Sequence, residues 1–367
     1  MDRTTRAGLL RLTAALRLAE LGGDQGDDMS DETITVTVGA DIGNATSIIA
    51  VQPEGGKVQV VKLPTAAAFS LRLPETLDRD DHVFMNQYGL ASLGLGMTAL
   101  RWSTGEVITA RGGADRYGAF LVPFVLAGVA AAAGSKVRRV IVPVLAVTVP
   151  AKHHAQVHGR VAAELRKTHQ RVYRGRPVTI EVRAVRVYQE GQAALAALAE
   201  KAKGNTILID GGGGQTHVAL ARDGKLRTDP VTRETGLQKV IDLADDVIAR
   251  LHGDRRLTPL ERYELERALV AKQPYAIRHA GQLIPVDGYA LAMYDEVAPL
   301  IISDIQSIVP RWQSAETIIL GGGQALHLRR HYEAAFPGQL TIADRPDELN
   351  ARGALRLAGV AVLDEVS

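Results

Sequence analysis

Two short stretches of the chain place a carboxylate directly before a glycine-containing turn, an arrangement suited to holding a metal-bound phosphate. Asp41 leads the first turn and Asp210 leads the second. Glycine lets backbone amides approach an anion closely, so such turns can cradle phosphate. The carboxylate suits the Mg²⁺ that accompanies phosphate rather than the phosphate itself. The turn residues are Gly43, Asn44, Ala45 and Thr46 in the first, and Gly211, Gly212, Gly213, Gly214, Gln215 and Thr216 in the second.

Both turns stand between stretches with the alternating apolar pattern of β-strands, so each is predicted to close a β-hairpin. The first hairpin falls within residues 33–51 and the second within residues 205–220. Taken singly, either turn is equally well explained as a plain hairpin with a flexible loop. Two aspartate-led turns in one chain favour two similar halves that hold one polyphosphate from opposite sides.

A third glycine-rich element lies in the last quarter of the chain, at residues 316–326. An apolar strand runs into Gly321, Gly322 and Gly323, and a helix is predicted to begin near Gln324. In this layout the backbone can lie flat against an adenine and its ribose, so these four residues are predicted to bind the nucleoside.

In this order, the three elements resemble those of the actin-like ATPases, the superfamily of actin, sugar kinases and heat-shock chaperones. Within it, the chain is most similar to the plasmid-segregation actins of the ParM/StbA type. The resemblance covers about residues 33–361, and residues 346–357 resemble the family's closing Asn-Ala-x-Gly stretch. It implies an α/β fold of two ribonuclease-H-like (actin-like) domains with a nucleotide cleft between them.

The resemblance also implies ligands and catalytic residues. ATP or ADP is the expected nucleotide, with GTP as an alternative, and Asp41 and Asp210 are the expected residues at Mg²⁺. The family places a Glu or Gln that positions the attacking water just before a small-residue helix. Glu190 falls at that position, with Gln189 beside it, and the register between them stays open. Glu190 and Asp210 are thus the predicted catalytic residues; the alternative for Glu190 is a glutamate that stabilises a helix N-terminus through its dipole.

The resemblance divides the chain into an N-terminal arm at residues 1–32, a first domain at 33–198 and a second domain at 199–345. The first domain carries a small insertion at about residues 55–118 and is completed by a C-terminal helix at 346–367. Periodicity predicts further elements between the motifs. These are a strand at 137–149 and helices at 119–133, 155–168, 235–251, 261–272 and 289–309.

Composition excludes several classes of function. The 367 residues include no cysteine, which removes disulfides and thiol catalysis and fits a cytoplasmic protein. The net charge of +2 gives no reason to expect direct nucleic-acid binding. No membrane association is expected either, because the apolar stretch 119–133 is too short to span a bilayer and is predicted to be a buried helix. His154 and His158 are one helical turn apart, but no further ligand completes a metal site.

The expected function is that of a Mg²⁺-dependent ATP hydrolase that forms filaments, with other copies of the chain as partners and a role in plasmid segregation or cytoskeletal positioning. A DNA-binding adaptor protein is a further partner that the resemblance suggests. Filament assembly follows from the resemblance alone, not from the spacing of the residues. The alternatives are a chaperone or reactivase ATPase that does not polymerise, and a small-molecule kinase of the same superfamily.

Overall fold

The computed structural model describes residues 32–86, 90–110 and 116–366, so the N-terminal arm up to residue 31 lies outside the described residues. The described chain forms two compact units. Unit 1 contains the described residues up to Val149, His153–Gln189 and those from Asn350 onward. Unit 2 contains Pro150–Lys152 and Glu190–Leu349.

Within the described part of unit 1, ten strands form one sheet. The strands are β1 (Glu32–Ile42), β2 (Thr46–Pro53), β3 (Gln59–Pro64), β4 (Ala66–Ala68), β5 (His82–Met85), β6 (Ala91–Leu95), β7 (Ile108–Thr109), β8 (Val137–Val149), β9 (Thr168–Tyr173) and β10 (Arg176–Gln189). Their order across the sheet is β3-β2-β1-β8-β10-β9-β5-β6-β4-β7. The central strands β1, β8 and β10 are parallel, while β2 and β3 fold back antiparallel beside β1.

The helices of unit 1 before the second unit are α1 (Met97–Trp102), α2 (Arg116–Ala119), α3 (Leu121–Ala133) and α4 (Ala151–Leu165). Helix α3 is apolar on all sides and buried along nearly its whole length, which confirms the buried helix predicted from its composition. A Cβ on Gly128 would lie 2.7 Å from the side chain of Ile49, so this glycine lets α3 lie directly against β2.

Strand β8 contains Pro143 although it lies between two neighbouring strands. The register with β1 steps from Thr35 opposite Ile141 to Val38 opposite Leu145, so β8 has one extra residue there. The pairing with β10 also skips Pro143. Proline has no N–H to donate to the ladder, and a bulge is where an interior strand tolerates it.

Unit 2 is built on a smaller sheet of the same layout. Its strands are β11 (Asn205–Gly211), β12 (Thr216–Arg222), β13 (Lys225–Leu226), β14 (Val231–Arg233), β17 (Thr317–Gly321) and β18 (Leu340–Ile342), and a separate hairpin is formed by β15 (Ala276–His279) and β16 (Gln282–Pro285). The order is β13-β12-β11-β17-β18, with β14 also paired to β12. As in unit 1, an antiparallel hairpin lies beside parallel strands, here β11, β17 and β18.

The helices of unit 2 are α5 (Gln192–Ala197), α6 (Gln238–Leu251), α7 (Pro259–Ala271), α8 (Asp287–Ile308), α9 (Gln324–His327) and α10 (Arg329–Ala335), with 3₁₀ turns at Trp312–Ser314 and Pro346–Glu348. Most lie where periodicity predicts them, and the differences are at their ends. The helix predicted over 155–168 ends at Leu165, and Thr168 already begins β9. Helix α7 begins after Thr258, whose hydroxyl accepts from the Glu261 amide in a capping box.

The last helix, α11 (Leu349–Val366), starts at the end of unit 2 and packs in unit 1. Its residues Ala351 and Leu355 are buried with Ile48 and Ala50 of β2. A Cβ on Gly39 of β1 would lie 2.2 Å from the Ala351 carbonyl oxygen, so only glycine allows this approach. None of the helices in the described part of the chain is long and apolar enough to cross a membrane.

A buried carboxylate joins α6 to α7. The Asp245 side chain accepts from the Leu257 amide at 2.6 Å and from the Arg262 guanidinium at 2.6 Å. Its carboxylate is almost fully enclosed, whereas that of its neighbour Asp246 is 43% exposed and pairs with Arg256. Burial makes the loss of one partner costly, because the remaining groups are left without a hydrogen bond.

We therefore expect Asp245→Ala to lower the free energy of unfolding by roughly 2–4 kcal/mol, since it leaves the Leu257 amide without its acceptor and removes one of the two carboxylates to which Arg262 donates. Urea denaturation followed by circular dichroism measures the change. Asp246→Ala is the matched control and should leave the denaturation midpoint nearly unchanged, because exposed ion pairs contribute little. Equal midpoints for the two variants would contradict a structural role for Asp245.

Candidate functional site

The two aspartate-led turns close hairpins of the same length and geometry. Asp41 lies opposite Ile48 in the first hairpin, and Asp210 lies opposite His217 in the second. In each, the amide two residues after the aspartate donates back across the turn. Gly43 donates to the Thr46 carbonyl at 3.2 Å, and Gly212 donates to the Gln215 carbonyl at 2.8 Å. The repetition within both units is the structural counterpart of the repeated sequence pattern.

In unit 1, the neighbouring parallel strand orients the carboxylate. The Thr148 hydroxyl of β8 donates to Asp41 at 2.9 Å. A Cβ on Gly43 would lie 2.6 Å from the Thr46 carbonyl oxygen, so the turn has no room for a side chain there. The Thr65 amide donates to the Ala45 carbonyl at 2.8 Å and so ties the turn to the chain beyond β3. Asn44 and Thr46 complete this turn.

In unit 2, the N-terminus of α6 holds the carbonyl side of the glycine turn. The Leu237 amide donates to the Gly212 carbonyl at 3.2 Å, and the Gln238 amide donates to the Gly213 carbonyl at 2.7 Å. No acceptor is recorded in the described part of the chain for the amides of Gly213 and Gly214. Backbone amides of this kind are the groups that bind phosphate oxygens.

Gly236, just before α6, makes this contact between helix and turn possible. A Cβ on Gly236 would lie 2.3 Å from the Gly213 carbonyl oxygen and 2.7 Å from the Gln215 amide nitrogen. The Gln215 side chain is buried and donates to Glu234 at 3.1 Å. The Thr216 hydroxyl donates to the Thr235 carbonyl at 2.7 Å. The turn is therefore fixed by the segment before α6, and its side chains bond within the protein.

The third glycine run lies against the second turn. Gly321 pairs with Asp210 in the parallel ladder between β17 and β11. Gly322 has φ +75 and donates to the Pro346 carbonyl at 2.7 Å. A Cβ on Gly322 would lie 2.2 Å from the Gly211 carbonyl oxygen, whereas a Cβ on Gly323 would meet nothing within 4 Å. The structure thus brings the predicted nucleoside turn and the second phosphate turn together.

Gln324, predicted to contact the nucleotide, is fully buried and bonded to protein groups. Its amide nitrogen donates to the Gly212 carbonyl at 3.1 Å and to the Thr216 hydroxyl at 2.9 Å. Its amide oxygen accepts from the Tyr332 hydroxyl at 2.6 Å. Through these bonds Gln324 holds the phosphate turn in position. Direct contact between Gln324 and a nucleotide stays a prediction.

Glu190 is buried and pairs with a histidine that sequence reasoning did not select. The Glu190 carboxylate lies 2.6 Å from Nε2 of His217, and Nδ1 of His217 lies 3.0 Å from the Thr232 hydroxyl. His217 is directly opposite Asp210 in the hairpin, so the two side chains project from the same face of the sheet. The one signal for His217 in the sequence is a lone histidine among apolar residues in the strand that leaves the turn. Gln189 is the last residue of β10 and belongs to unit 1.

A second group of polar side chains follows the nucleoside turn. His327, at the end of α9, has Nδ1 2.5 Å from the Tyr294 hydroxyl of α8. Burial lowers the pKa of His327 to about 4, so its ring is neutral at pH 7. Burial, and then the nearby Glu266 carboxyl, raises the pKa of Tyr294. Burial also raises the pKa of Glu266 to about 7.

Within unit 2, the structure brings together Glu190, Asp210, the glycine turn and the third glycine run; Asp41 and its turn form the corresponding site of unit 1. In the described residues, no cluster of three or more His, Asp or Glu side chains could hold a metal alone. One carboxylate at each turn nevertheless fits Mg²⁺, which keeps several waters and takes phosphate oxygens as ligands. The assignment of these residues to a nucleotide and a metal stays a prediction. His154 and His158 bond to backbone carbonyls at 3.0 and 3.1 Å.

Comparisons with known proteins give matches in structure only. No family model and no curated protein matches the sequence. The archaeal actin homolog Ta0583 superposes with a TM-score of 0.68 at 16% identity, covering 89% of this chain and 99% of that one. A ParM from a 15-stranded filament of Clostridium botulinum gives 0.70 at 13% identity, with 89% and 99% covered. Bacillus thuringiensis ParM with ATP gives 0.63 at 16% identity, with 90% and 99% covered.

These alignments run over nearly the whole length of each neighbour. They therefore include both units, each with its sheet and hairpin. The α/β architecture predicted from the three glycine elements is confirmed. The chain has the actin-like fold of ParM and of the archaeal actin homolog.

Proposed function

We propose that this protein is a Mg²⁺-dependent ATPase that assembles into filaments in the cytoplasm and moves or positions DNA or other cargo. The observation that carries the proposal is the pair of matching aspartate-led turns, one in each unit, with free turn amides in unit 2 and a nucleoside turn packed beside them. Other copies of the chain are the proposed partners, with a DNA-binding adaptor as a further one.

The structural neighbours support the nucleotide-binding and filament parts of this proposal. A ParM neighbour is described with ATP, and the archaeal actin homolog is also described with ADP. Another ParM neighbour is described as a filament. The absence of cysteine from the chain fits a reducing compartment.

The turns have distinct proposed roles. The amides of Gly213 and Gly214, and those of the turn after Asp41, bind the phosphate oxygens. Asp41 and Asp210 hold Mg²⁺ directly or through water, and the bound metal would neutralise charge on the β- and γ-phosphates. Gly321, Gly322 and Gly323 take the nucleoside.

Glu190 is the proposed residue that orients the attacking water, and His217 is proposed to position it. The pair is enclosed by protein, and the contact between Glu190 and His217 fixes one carboxylate oxygen. Thr232 fixes the histidine ring from the other side.

Sedimentation with and without Mg²⁺ and nucleotide, read beside phosphate release, tests the function. ATP and GTP are compared in parallel, with EDTA as the control for metal dependence. We expect nucleotide-dependent pelleting together with phosphate release. Release without pelleting would favour a chaperone or reactivase, and release only after a small alcohol or sugar is added would favour a kinase.

A substitution at Gly322 tests the role of the third glycine run. Gly322→Ala places a Cβ against the Gly211 carbonyl at a residue with positive φ, so it should displace the phosphate turn and lower stability by roughly 1–3 kcal/mol. We expect at least a tenfold loss of Mg-ATP affinity by calorimetry. Gly288→Ala in α8, where the Cβ also meets nothing within 4 Å and the residue has no proposed contact with the nucleotide, is the control and should retain normal affinity without lowering the thermal midpoint. A Gly322→Ala variant with unchanged affinity would separate this run from nucleotide binding.

Substitution of Glu190 separates catalysis from binding. Glu190→Gln keeps the size of the side chain and removes its charge, so ATP binding should stay nearly unchanged. Single-turnover phosphate release should fall by roughly 10²–10⁴, the range for loss of one general base. Glu296→Gln, the same change at an exposed site of α8, is the control and should keep the normal rate. A Glu190→Gln rate within a few-fold of that of the unmodified protein would exclude Glu190 and make Gln189 the next residue to substitute.

A further inference from the structure

The positive charge of the chain is concentrated in one stretch. Residues 136–189 contain twelve Lys and Arg and two Asp and Glu, although the whole chain has a net charge of only +2. This stretch forms α4 and the strands β8, β9 and β10. An average over the whole chain therefore hides a strongly basic region and a compensating acidic remainder.

Six of these cations lie at or next to the start of β8 and the hairpin of β9 and β10, with Arg139 and Arg183 on one face of the sheet and Arg138 and Arg176 on the other. They are named here the basic edge, and they are Lys136, Arg138, Arg139, Arg166, Arg176 and Arg183. Arg139 is paired in register with Thr179 of β10, which places the first residues of β8 beside that hairpin. Arg183 lies four residues further along β10, about 13 Å at the rise of a strand.

The carboxylate of Glu181 pairs with two members of the basic edge. Glu181 accepts from Arg139 at 2.8 Å and from Arg183 at 3.0 Å, so one negative charge is shared by two guanidiniums. The side chains of Arg139 and Arg183 remain 53% and 56% exposed. Together they leave an excess of positive charge on an accessible face of the sheet.

The inner members of the basic edge are held by backbone carbonyls instead of carboxylates. Arg176 donates to the Ala130 carbonyl at 2.7 Å and also to the Val137 carbonyl. Arg166 donates to the Arg183 carbonyl at 3.0 Å. A carbonyl orients a guanidinium without cancelling its charge. These bonds hold the two side chains in place without pairing them with a carboxylate.

Crowding of like charge is visible at Arg176. Burial is the main cause of its lowered pKa; the neighbouring Tyr173 acts in the opposite direction, and the positive charges of Arg138 and Arg174 lower the pKa further. The buried Nη1 of Arg138 has no hydrogen-bond acceptor among the described residues. Arg174 is not counted in the basic edge; it donates to the carbonyls of Leu77 and Arg79, on either side of Asp78. The basic edge thus combines uncancelled charge with a buried donor that lacks an acceptor.

We propose that the basic edge binds the phosphate backbone of double-stranded DNA directly. Duplex DNA presents a phosphate charge about every 1.7 Å along its axis, so a row of cations about 13 Å long spans several phosphates. Arginines held in place by their own protein are suited to this contact, because little side-chain freedom is lost on binding. The contact reads charge and not sequence, so it is a non-specific DNA contact.

The composition of the surface favours duplex DNA over other polyanions. In the described part of the chain, none of the exposed large hydrophobic side chains falls within residues 136–189. A protein partner generally needs a buried apolar or aromatic anchor. Single-stranded nucleic acid is usually held by exposed aromatic rings, but Tyr173 is buried here and Tyr188 is half-buried.

The test compares two triple variants that remove the same charge. Lys136→Gln, Arg139→Gln and Arg183→Gln together neutralise exposed members of the basic edge and leave the carbonyl-bound Arg176 in place. Lys201→Gln, Arg222→Gln and Lys225→Gln neutralise three exposed cations of unit 2 as the matched control. Thermal melts verify that both fold. Binding to a labelled 30-base-pair duplex is measured by fluorescence anisotropy from 50 to 200 mM salt, without nucleotide.

We expect the unmodified protein to bind the duplex with a logarithmic salt slope of about −3 to −5, for three to five phosphates. The basic-edge variant should lose at least tenfold in affinity at 50 mM salt, with a slope smaller by about 2 to 3, while the control variant binds normally. Equal losses in both variants, no binding at 50 mM salt, or equal competition by polyglutamate would each overturn the proposal. Because no nucleotide is present, failure here leaves the proposed ATPase untouched.

Discussion

The side-chain amide of Gln324 is the contact on which the geometry of the glycine turns in unit 2 depends. It bonds at once to the Gly212 carbonyl, the Thr216 hydroxyl and the Tyr332 hydroxyl, and it is closed off from solvent. Without water to replace a lost partner, each of these groups would be left unsatisfied. The close approach of Gln324 to the turn also explains why residue 211 is a glycine, because a Cβ there would lie 2.4 Å from the Gln324 amide oxygen. Several glycines of the site thus serve the packing of protein on protein.

The two hairpins show one backbone design with different chemistry added. In both, an aspartate stands two residues before the turn amide and seven before its partner across the ladder. Unit 1 has the apolar Ile48 at the partner position and orients its carboxylate with Thr148. Unit 2 has His217 there, and this histidine is paired with Glu190. The buried pair of a glutamate and a histidine is therefore found in unit 2.

The features that could be predicted from the sequence are those encoded by residues adjacent in the chain. Asp41 and Asp210 stand out because strand, carboxylate and glycine are adjacent in the chain, and the resemblance that these motifs carry implies the α/β fold, which is confirmed. The contact between Glu190 and His217 joins residues 27 positions apart, so no local signal reveals it. Gln324 was predicted at the nucleotide from its position after three glycines, and only the folded chain shows its amide bonded internally. The helix predicted through Thr168 ends earlier because that residue pairs with β10, a tertiary effect.

The approach of α11 to Gly39 bears on how the chain is made. Unit 1 begins with β1, but the helix that covers Gly39, Ile48 and Ala50 is translated after all of unit 2. Domains generally fold as they emerge during synthesis. Apart from Pro150–Lys152, unit 2 is one continuous segment, Glu190–Leu349, and α11 begins at its last residue. Unit 2 has therefore been translated before α11 can form. On the ribosome, one face of β1 and β2 therefore stays uncovered while unit 2 is translated. Unit 1 is completed last, although its synthesis starts first.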